Sequence, residues 1–486
     1  MKFSLLNIIF QIIIVGYSYS QYSLDWAKGF GGDKKDKANC IIETSDGNLM
    51  LAGTVMQRRT HLWLLKMDTN GNEIWGKTYE DNFCSGANSC IQTLDTCLIA
   101  AGFITQERSL ANTNAWILKT DFSGKILWQK QYGKNGDEEL NKIIQTKDGN
   151  ILAVGFSMSN SDFEKEIFII KVRNNGDEIW SKNLDYTTED VANSVCETID
   201  GGFIIVGYSV KNDKKVLTAF KIDSDGNEIW SYPYNYNDIQ EAYDIVQSLD
   251  TCYLIVGNTK HRQIDNTDYL IQKISAQGDS IWTKIQGTGK WEEATSITRM
   301  ADGNLAITGY ERTNAEMNSD FIVKKINNSG EIIWEDVFVR SSLEFPNSII
   351  ETRDNGIISA GATYSKENGW DYAVLKYMDD LKTYIKINSP SDSLITTTNA
   401  DYEFDACLRS YSVLKNVQII VNGSLQYFGI PDNNFISDNS CKFPLLCTLK
   451  LQPGVNEIKI IVTDSRDFVI IKYNTICYIP QTHISW

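Results

Sequence analysis

The chain has 486 residues and a formal net charge of −16, with 46 Lys and Arg against 62 Asp and Glu. That balance argues against nucleic acid as a partner, because phosphates need clustered cations. The length exceeds one ordinary core and leaves either several domains or a repeat array whose units bury their faces against one another.

Met1-Lys2 gives a short basic start, residues 3–16 are almost entirely apolar, and Ser18-Tyr-Ser20 places small residues ahead of Gln21. This pattern predicts an export signal over 1–20 with cleavage before Gln21, since the apolar run is shorter than the roughly 18–20 residues a membrane span needs. No Cys follows the run, which argues against a lipoprotein, and no second apolar run appears, so no membrane span is expected in the mature chain.

The segment Leu24-Asp-Trp26-Ala-Lys-Gly-Phe30 matches the tryptophan strand of a repeat whose other strands are missing upstream. The repeat is clearest at Lys221-Ile-Asp-Ser-Asp-Gly-Asn-Glu-Ile-Trp230, and it returns at 66–75, 119–128, 171–180, 273–282 and 325–334. A period near fifty residues with several strands per period is a propeller signature. The third copy predicts strands at 140–146, 151–156, 167–172 and 178–184, from short apolar runs separated by Gly, Asn and Asp. Asp-Gly turns (Asp46-Gly, Asp148-Gly, Asp200-Gly, Asp302-Gly) suit a tight hairpin that needs positive φ. A glycine follows in the second strand of every copy, at Gly53, Gly102, Gly155, Gly207, Gly257, Gly309 and Gly361. With seven tryptophans once Trp26 is counted, the expectation is seven blades over 21–380. The last copy, near Asp371, lacks its tryptophan strand, so the N-terminal segment is expected to complete it and remove two exposed edges.

The run Trp-x-Lys-x-Tyr-Gly, then Asp-Gly-Asn/Gly, then Gly, then Lys-x-Asp-x-x-Gly-Asn-x-x-Trp resembles the repeats of secreted bacterial seven-bladed β-propellers over 24 to about 378. Its Asp-x-x-Gly-x-x-x-Trp piece is similar to the tryptophan-docking motif of quinoprotein propellers. The paired cysteines and cofactor-stacking residues of a quinoprotein dehydrogenase are absent from the pattern, so no cofactor is expected. The sialidase Asp-box differs too, with three steps between Gly and Trp where this chain has four.

Beyond Asp380 the pattern changes to separate strand signals at 385–390, 402–407, 417–421, 456–462 and 468–473. Roughly seven short strands in about 100 residues predict a β-sandwich over 381–486. The segment from Leu451 to Asp464 resembles Ig-like domains appended to exported bacterial proteins, and the fold class expected for the whole chain is all-β.

Ten cysteines in an exported chain raise disulfides. Cys84 and Cys90 are read as flanking a short loop and are one candidate bridge, Cys407, Cys441, Cys447 and Cys477 are a candidate set, and scattered thiols are the alternative. Only His61, His261 and His483 exist, and none lies in a zinc spacing. No nucleophile elbow or phosphate loop is present. Asp223-Ser-Asp225-Gly-Asn227-Glu228 stops short of a calcium loop, lacking a twelfth-position Glu.

Long variable loops gather on one propeller face, where binding usually sits. Five copies carry an acid two residues before the inner-strand Ala or its equivalent: Asp36, Glu138, Asp190, Glu292 and Glu344. These form either an incomplete carboxylate ring at the channel mouth or acceptors for backbone hydrogen bonds between blades. Trp291 and Trp370 lie outside the repeat's own tryptophan position and are candidate sugar or peptide platforms. The sequence therefore predicts an exported, non-enzymatic binding or adhesion protein for an extracellular glycan or protein ligand. The alternatives are a polysaccharide-acting enzyme using carboxylates near the channel and a structural cell-surface spacer.

Overall fold

The computed structural model describes residues 22–31, 35–79, 83–105, 113–133, 136–159, 164–234, 239–260, 266–312, 318–339, 343–365, 369–379, 384–389, 394–409, 414–429, 443–464 and 469–478. The expected export signal lies outside them, as do His261, Cys441 and His483. Every regular element among the described residues is a strand. No helix there is long and apolar enough to cross a membrane.

The strands form repeated four-stranded antiparallel sheets of the propeller kind. In chain order they span 37–79, 85–132, 136–184, 190–234, 239–286 and 291–338. A further sheet combines Leu343–Glu351, Ile357–Ser365 and Gly369–Asp379 with the N-terminal strand Tyr22–Phe30, in which Tyr22 pairs with Asp379 and Phe30 with Tyr372. A single parallel bridge, Ser319 to Leu343, joins this sheet to its predecessor. Matching bridges run from Lys165 to Glu189 and from Trp370 to Lys35, so the last sheet meets the first in the same way. In the third sheet the first two strands, Gly136–Gln145 and Ile151–Ser159, run past the ends expected from sequence. The ladder continues there through polar residues such as Asp137 and Glu138, which carry no apolar alternation.

Two contacts, repeated from sheet to sheet, explain the two halves of the sequence motif. The first lies between sheets. Trp26, Trp75, Trp128, Trp180, Trp230 and Trp282 lie against Gly71, Gly124, Gly176, Gly226, Gly278 and Gly330 of the following sheet, where an added Cβ would come within about 3.1 Å of the ring. Each glycine also has positive φ, 73–87°, so the site requires glycine twice over. The residues after the tryptophan reach the same turn: Lys77 Nζ donates to Ser123 O at 2.7 Å, and Tyr79 Oη to Gly124 O at 2.8 Å. Trp334 packs on Tyr22 and Tyr377, at 5.2 and 5.3 Å between ring centroids.

The second contact lies within each sheet. The lysine opening each motif is buried and pairs with the aspartate of the first hairpin turn: Lys66 with Asp46, Lys119 with Asp95, Lys171 with Asp148, Lys221 with Asp200, Lys273 with Asp250, Lys325 with Asp302 and Lys376 with Asp354. The turn aspartate is therefore a counterion as well as a hairpin former. The Lys221 ammonium, with Thr198, holds Asp200 down to about 2. At Asp250 burial works upward, yet Lys273 and Ser248 still bring the carboxyl to about 2.

The candidate bridge between Cys84 and Cys90 does not form, and both are thiols. Cys90 lies within the extended strand Ser85–Gln92 and Cys84 immediately precedes it. At roughly 3.3 Å per residue the two are far beyond the ~7 Å Cα separation that a disulfide spans. Cys447 and Cys477 are thiols as well; the Cys407 side chain and Cys441 lie outside the described residues.

Strands from Tyr384 to Tyr478 form a three-stranded and a five-stranded sheet. A shared apolar core links them, with Phe404, Leu445 and Leu449 from one and Val417, Ile419, Ile458 and Ile460 from the other. Asn422-Gly423, both at positive φ (50° and 80°), makes the hairpin turn between Leu414–Val421 and Ser424–Gly429. The short strands Leu394–Thr397 and Phe443–Lys450 went unread in the sequence.

Asp354→Asn leaves Lys376 buried without its counterion and is expected to cost about 3–5 kcal/mol. Adding Lys376→Met restores much of that loss, as read from denaturant midpoints of the two variants. The depressed aspartates bind protons more readily unfolded, near the ordinary ~3.9, than folded, near 2. Their contribution is complete above pH ~4 and fades as pH falls toward 2, so the unfolding temperature should drop across that window, and drop less in the double variant.

Candidate functional site

The first strands of the sheets converge, and each carries one β-bulge, opposite the glycine of the second strand. In the third sheet Leu140 pairs with Gly155 and Lys142 with Val154, so Asn141 is the extra residue. The other bulged residues are Asn39, Asn88, Asn193, Tyr243, Thr295 and Asn347. The glycine permits the bulge: a Cβ at Gly155 would lie 1.9 Å from Glu139 O, and one at Gly361 would lie 2.1 Å from Phe345 O.

The bulge turns an asparagine amide toward the next sheet. Asn39 Nδ2 donates to Ala87 O at 2.8 Å, Asn88 to Leu140 O at 3.0 Å, Asn141 to Ala192 O at 2.9 Å and Asn193 to Ala242 O at 2.8 Å. Asn347 donates to Ala38 O at 2.7 Å, which carries the chain of amides from the last sheet back to the first. Beneath this ring, Lys142 crosses from the third sheet to Asp244 of the fifth at 3.2 Å. Asp244 also accepts from Ser194 at 2.7 Å and Ser296 at 2.8 Å.

Above that layer lies a cavity of about 730 Å³, lined by all seven bulge residues together with Lys35, Lys37, Glu293, Tyr310, Phe345 and Trp370. One wall is aromatic: Tyr310 meets Phe345 edge-on at 5.0 Å, Phe345 meets Trp370 at 5.6 Å, and Trp370 meets Tyr364 at 5.3 Å. Beside it the Tyr243 hydroxyl lies 3.3 Å from both Glu241 and Glu293, and it accepts from Asn258 at 3.1 Å. Burial, then the charges of Glu293 and Glu241, hold the Tyr243 phenol well above its ordinary value, so it remains a donor. Burial also raises the Glu293 carboxyl, against hydrogen bonds from Tyr310, Asn258 and Tyr243. Glu241 is paired with Lys215 at 2.7 Å.

The five acids singled out from sequence are all buried, and of them only Asp36 lines the cavity. Asp36 accepts from Met56 N at 2.9 Å, Asp190 from Tyr186 N at 2.8 Å and Thr187 N at 2.7 Å, and Glu292 from Thr288 N at 2.6 Å. Glu138 lies 3.4 Å from Ser157 Oγ, and the Glu344 backbone N–H donates to Ser319 Oγ at 2.8 Å. The two candidate tryptophans part company. Trp370 stands in the aromatic wall, whereas Trp291 is flanked by the Lys260 and Arg312 cations, each 5.3 Å from its ring, and does not line the cavity. No group of three or more His, Cys, Asp or Glu with metal-binding proximity occurs among the described residues.

The asparagines and Glu293 escaped the sequence reading. A usable signal was present: Asn follows the inner-strand Ala, or the Leu or Pro in its place, at Asn39, Asn88, Asn141, Asn193 and Asn347.

No family model matches the chain, and no curated protein does either. Among solved structures it is similar to Sqt1 from Chaetomium thermophilum, at 12% identity and TM-score 0.42 over 72% of this chain and 86% of that one. The α-L-arabinanase of Penicillium chrysogenum, complexed with arabinobiose, is 9% identical, with TM-score 0.40 over 60% of this chain and 92% of its own. The extracellular domain of a putative hybrid two component system from B. thetaiotaomicron is 11% identical, with TM-score 0.27 over 91% and 73%. At such scores these likenesses carry nothing about function.

Asn347→Ala strips the buried Ala38 carbonyl of its donor at the junction of last and first sheets. The expected cost is about 1–3 kcal/mol, measurable as a lower denaturant midpoint, with Asn347→Asp as the variant that keeps the size and loses the donor.

Proposed function

We propose that the chain is exported and forms a seven-bladed propeller, closed by its N-terminal strand and followed by an Ig-like sandwich over 381–486. In this reading it is a non-enzymatic binding protein that seats an extracellular glycan at the channel mouth. The supporting observation is the wall of Tyr310, Phe345 and Trp370 standing beside a ring of asparagine amides and Glu293 in one cavity. Sugars present an apolar ring face and a rim of hydroxyls, and a wall of this kind takes the first while fixed amides and carboxylates take the second.

A second reading has its own observation. Glu241 and Glu293 share the Tyr243 hydroxyl, and Glu293 has a raised carboxyl facing the cavity. Two neighbouring carboxyl groups with different environments are what a glycoside hydrolase uses as acid and base. The Lys215 pairing and the tyrosine bonds tie both carboxylates into a fixed network, which favours holding a sugar over attacking it.

The test is a glycan array with the mature chain from Gln21, run beside Trp370→Ala, Phe345→Ala and Trp291→Ala, each checked for an unchanged unfolding transition. Binding should weaken at least about tenfold, ~1.4 kcal/mol, in the first two and persist in the third. Loss in Trp291→Ala alone would move the site elsewhere. No retained glycan would favour a protein ligand or a spacer, and polysaccharide cleavage abolished by Glu293→Gln would establish the enzyme.

A further inference from the structure

Two thiols meet under the floor of the amide ring. Cys40 follows Asn39 on the first strand of the first sheet, and Cys90 lies on the first strand of the second. The Cys40 thiol donates to Cys90 O at 3.5 Å, a contact between two sheets across 50 residues of sequence. Cys40 is packed against the same apolar cluster that buries Cys90. Ser89 and the Lys142 ammonium both act to lower the Cys40 thiol's pKa.

We propose that Cys40 and Cys90 are a redox pair that closes into a disulfide stapling the first sheet to the second. The oxidant is a disulfide, either glutathione disulfide or the disulfide of an oxidative folding catalyst. The Cys40 thiolate attacks one of its sulfurs and expels the first thiolate, leaving Cys40 as a mixed disulfide. Cys90 then loses its proton and attacks the Cys40 sulfur, expelling the second thiolate. Two protein thiols are oxidised, one external disulfide is reduced, and two protons leave with the products.

The environment assigns the order of events. The neighbouring Cys90, and then the Lys142 charge working against burial, hold the Cys40 thiol below its ordinary value. A lowered thiol is the one that attacks first. Cys90 is raised, first by the neighbouring Cys40 and next by burial, and it suits the later, resolving role. The bond would fix the Asn39 to Ala87 contact directly above it, so oxidation stiffens the cavity floor and tightens two sheets that otherwise meet only through packing and hydrogen bonds. The cross-link closes a long loop, the case in which a disulfide constrains the unfolded chain most.

The experiment equilibrates the folded mature chain in glutathione buffers from reducing to oxidising. Samples are quenched with acid, and the remaining thiols are alkylated in denaturant and mapped by mass spectrometry. Cys40 and Cys90 should lose alkylation together, a peptide joining them should appear, and the unfolding temperature should rise and fall back with dithiothreitol. In Cys90→Ser, Cys40 should stop at the mixed disulfide with glutathione. The proposal is overturned if both residues stay alkylated at the most oxidising ratio, if Cys40 pairs with a different cysteine, or if the oxidised form melts lower than the reduced one.

Discussion

Trp75 lies on Gly124, Trp128 on Gly176 and Trp180 on Gly226, and the rest of the molecule depends on that clamp between one sheet's outer strand and the next sheet's turn. A single four-stranded sheet has two apolar faces and cannot bury either alone. The clamp fixes the spacing at which neighbours cover those faces, with an indole filling the gap and a lysine and a tyrosine bonded to the same turn. At the corresponding joint Trp334 packs on Tyr22 and Tyr377.

Spacing set at the outer edge determines what happens at the centre. With the sheets held at fixed intervals, their first strands converge, and in five of them the bulge points an asparagine amide at the neighbouring sheet's backbone. The same bulge requires a glycine opposite, because any Cβ there would collide with a carbonyl oxygen. Glycine, bulge and asparagine are thus one device distributed over two strands and two sheets. The positions where asparagine is replaced, Tyr243 and Thr295, adjoin the carboxylate cluster, and the aromatic wall begins beyond them at Tyr310 and Phe345. The asymmetry of the cavity comes from these departures from the repeat.

Features that recur every fifty residues are legible in the sequence: the tryptophans, the turn glycines, the second-strand glycines and the strands they bound. The buried lysines were equally periodic, but lysine reads as a surface residue until its aspartate is seen 20 or more residues away in the hairpin turn. The acids at 36, 138, 190, 292 and 344 have the right period for a ring, yet sequence cannot tell an acid facing the channel from one bonded to nearby backbone N–H groups. The aromatic wall was hardest to read. Tyr310, Phe345 and Trp370 come from three separate strands of two sheets, and on their own strands Tyr310 and Phe345 look like ordinary core positions. Trp370 stood out only because it broke the pattern.

The most direct test of the account is hydrogen–deuterium exchange of the mature chain with and without a glycan that it retains. Protection confined to the segments around Asn39, Tyr310, Phe345 and Trp370 is the predicted result. Protection on another face, with those segments unchanged, would contradict the assignment of the channel mouth as the binding site.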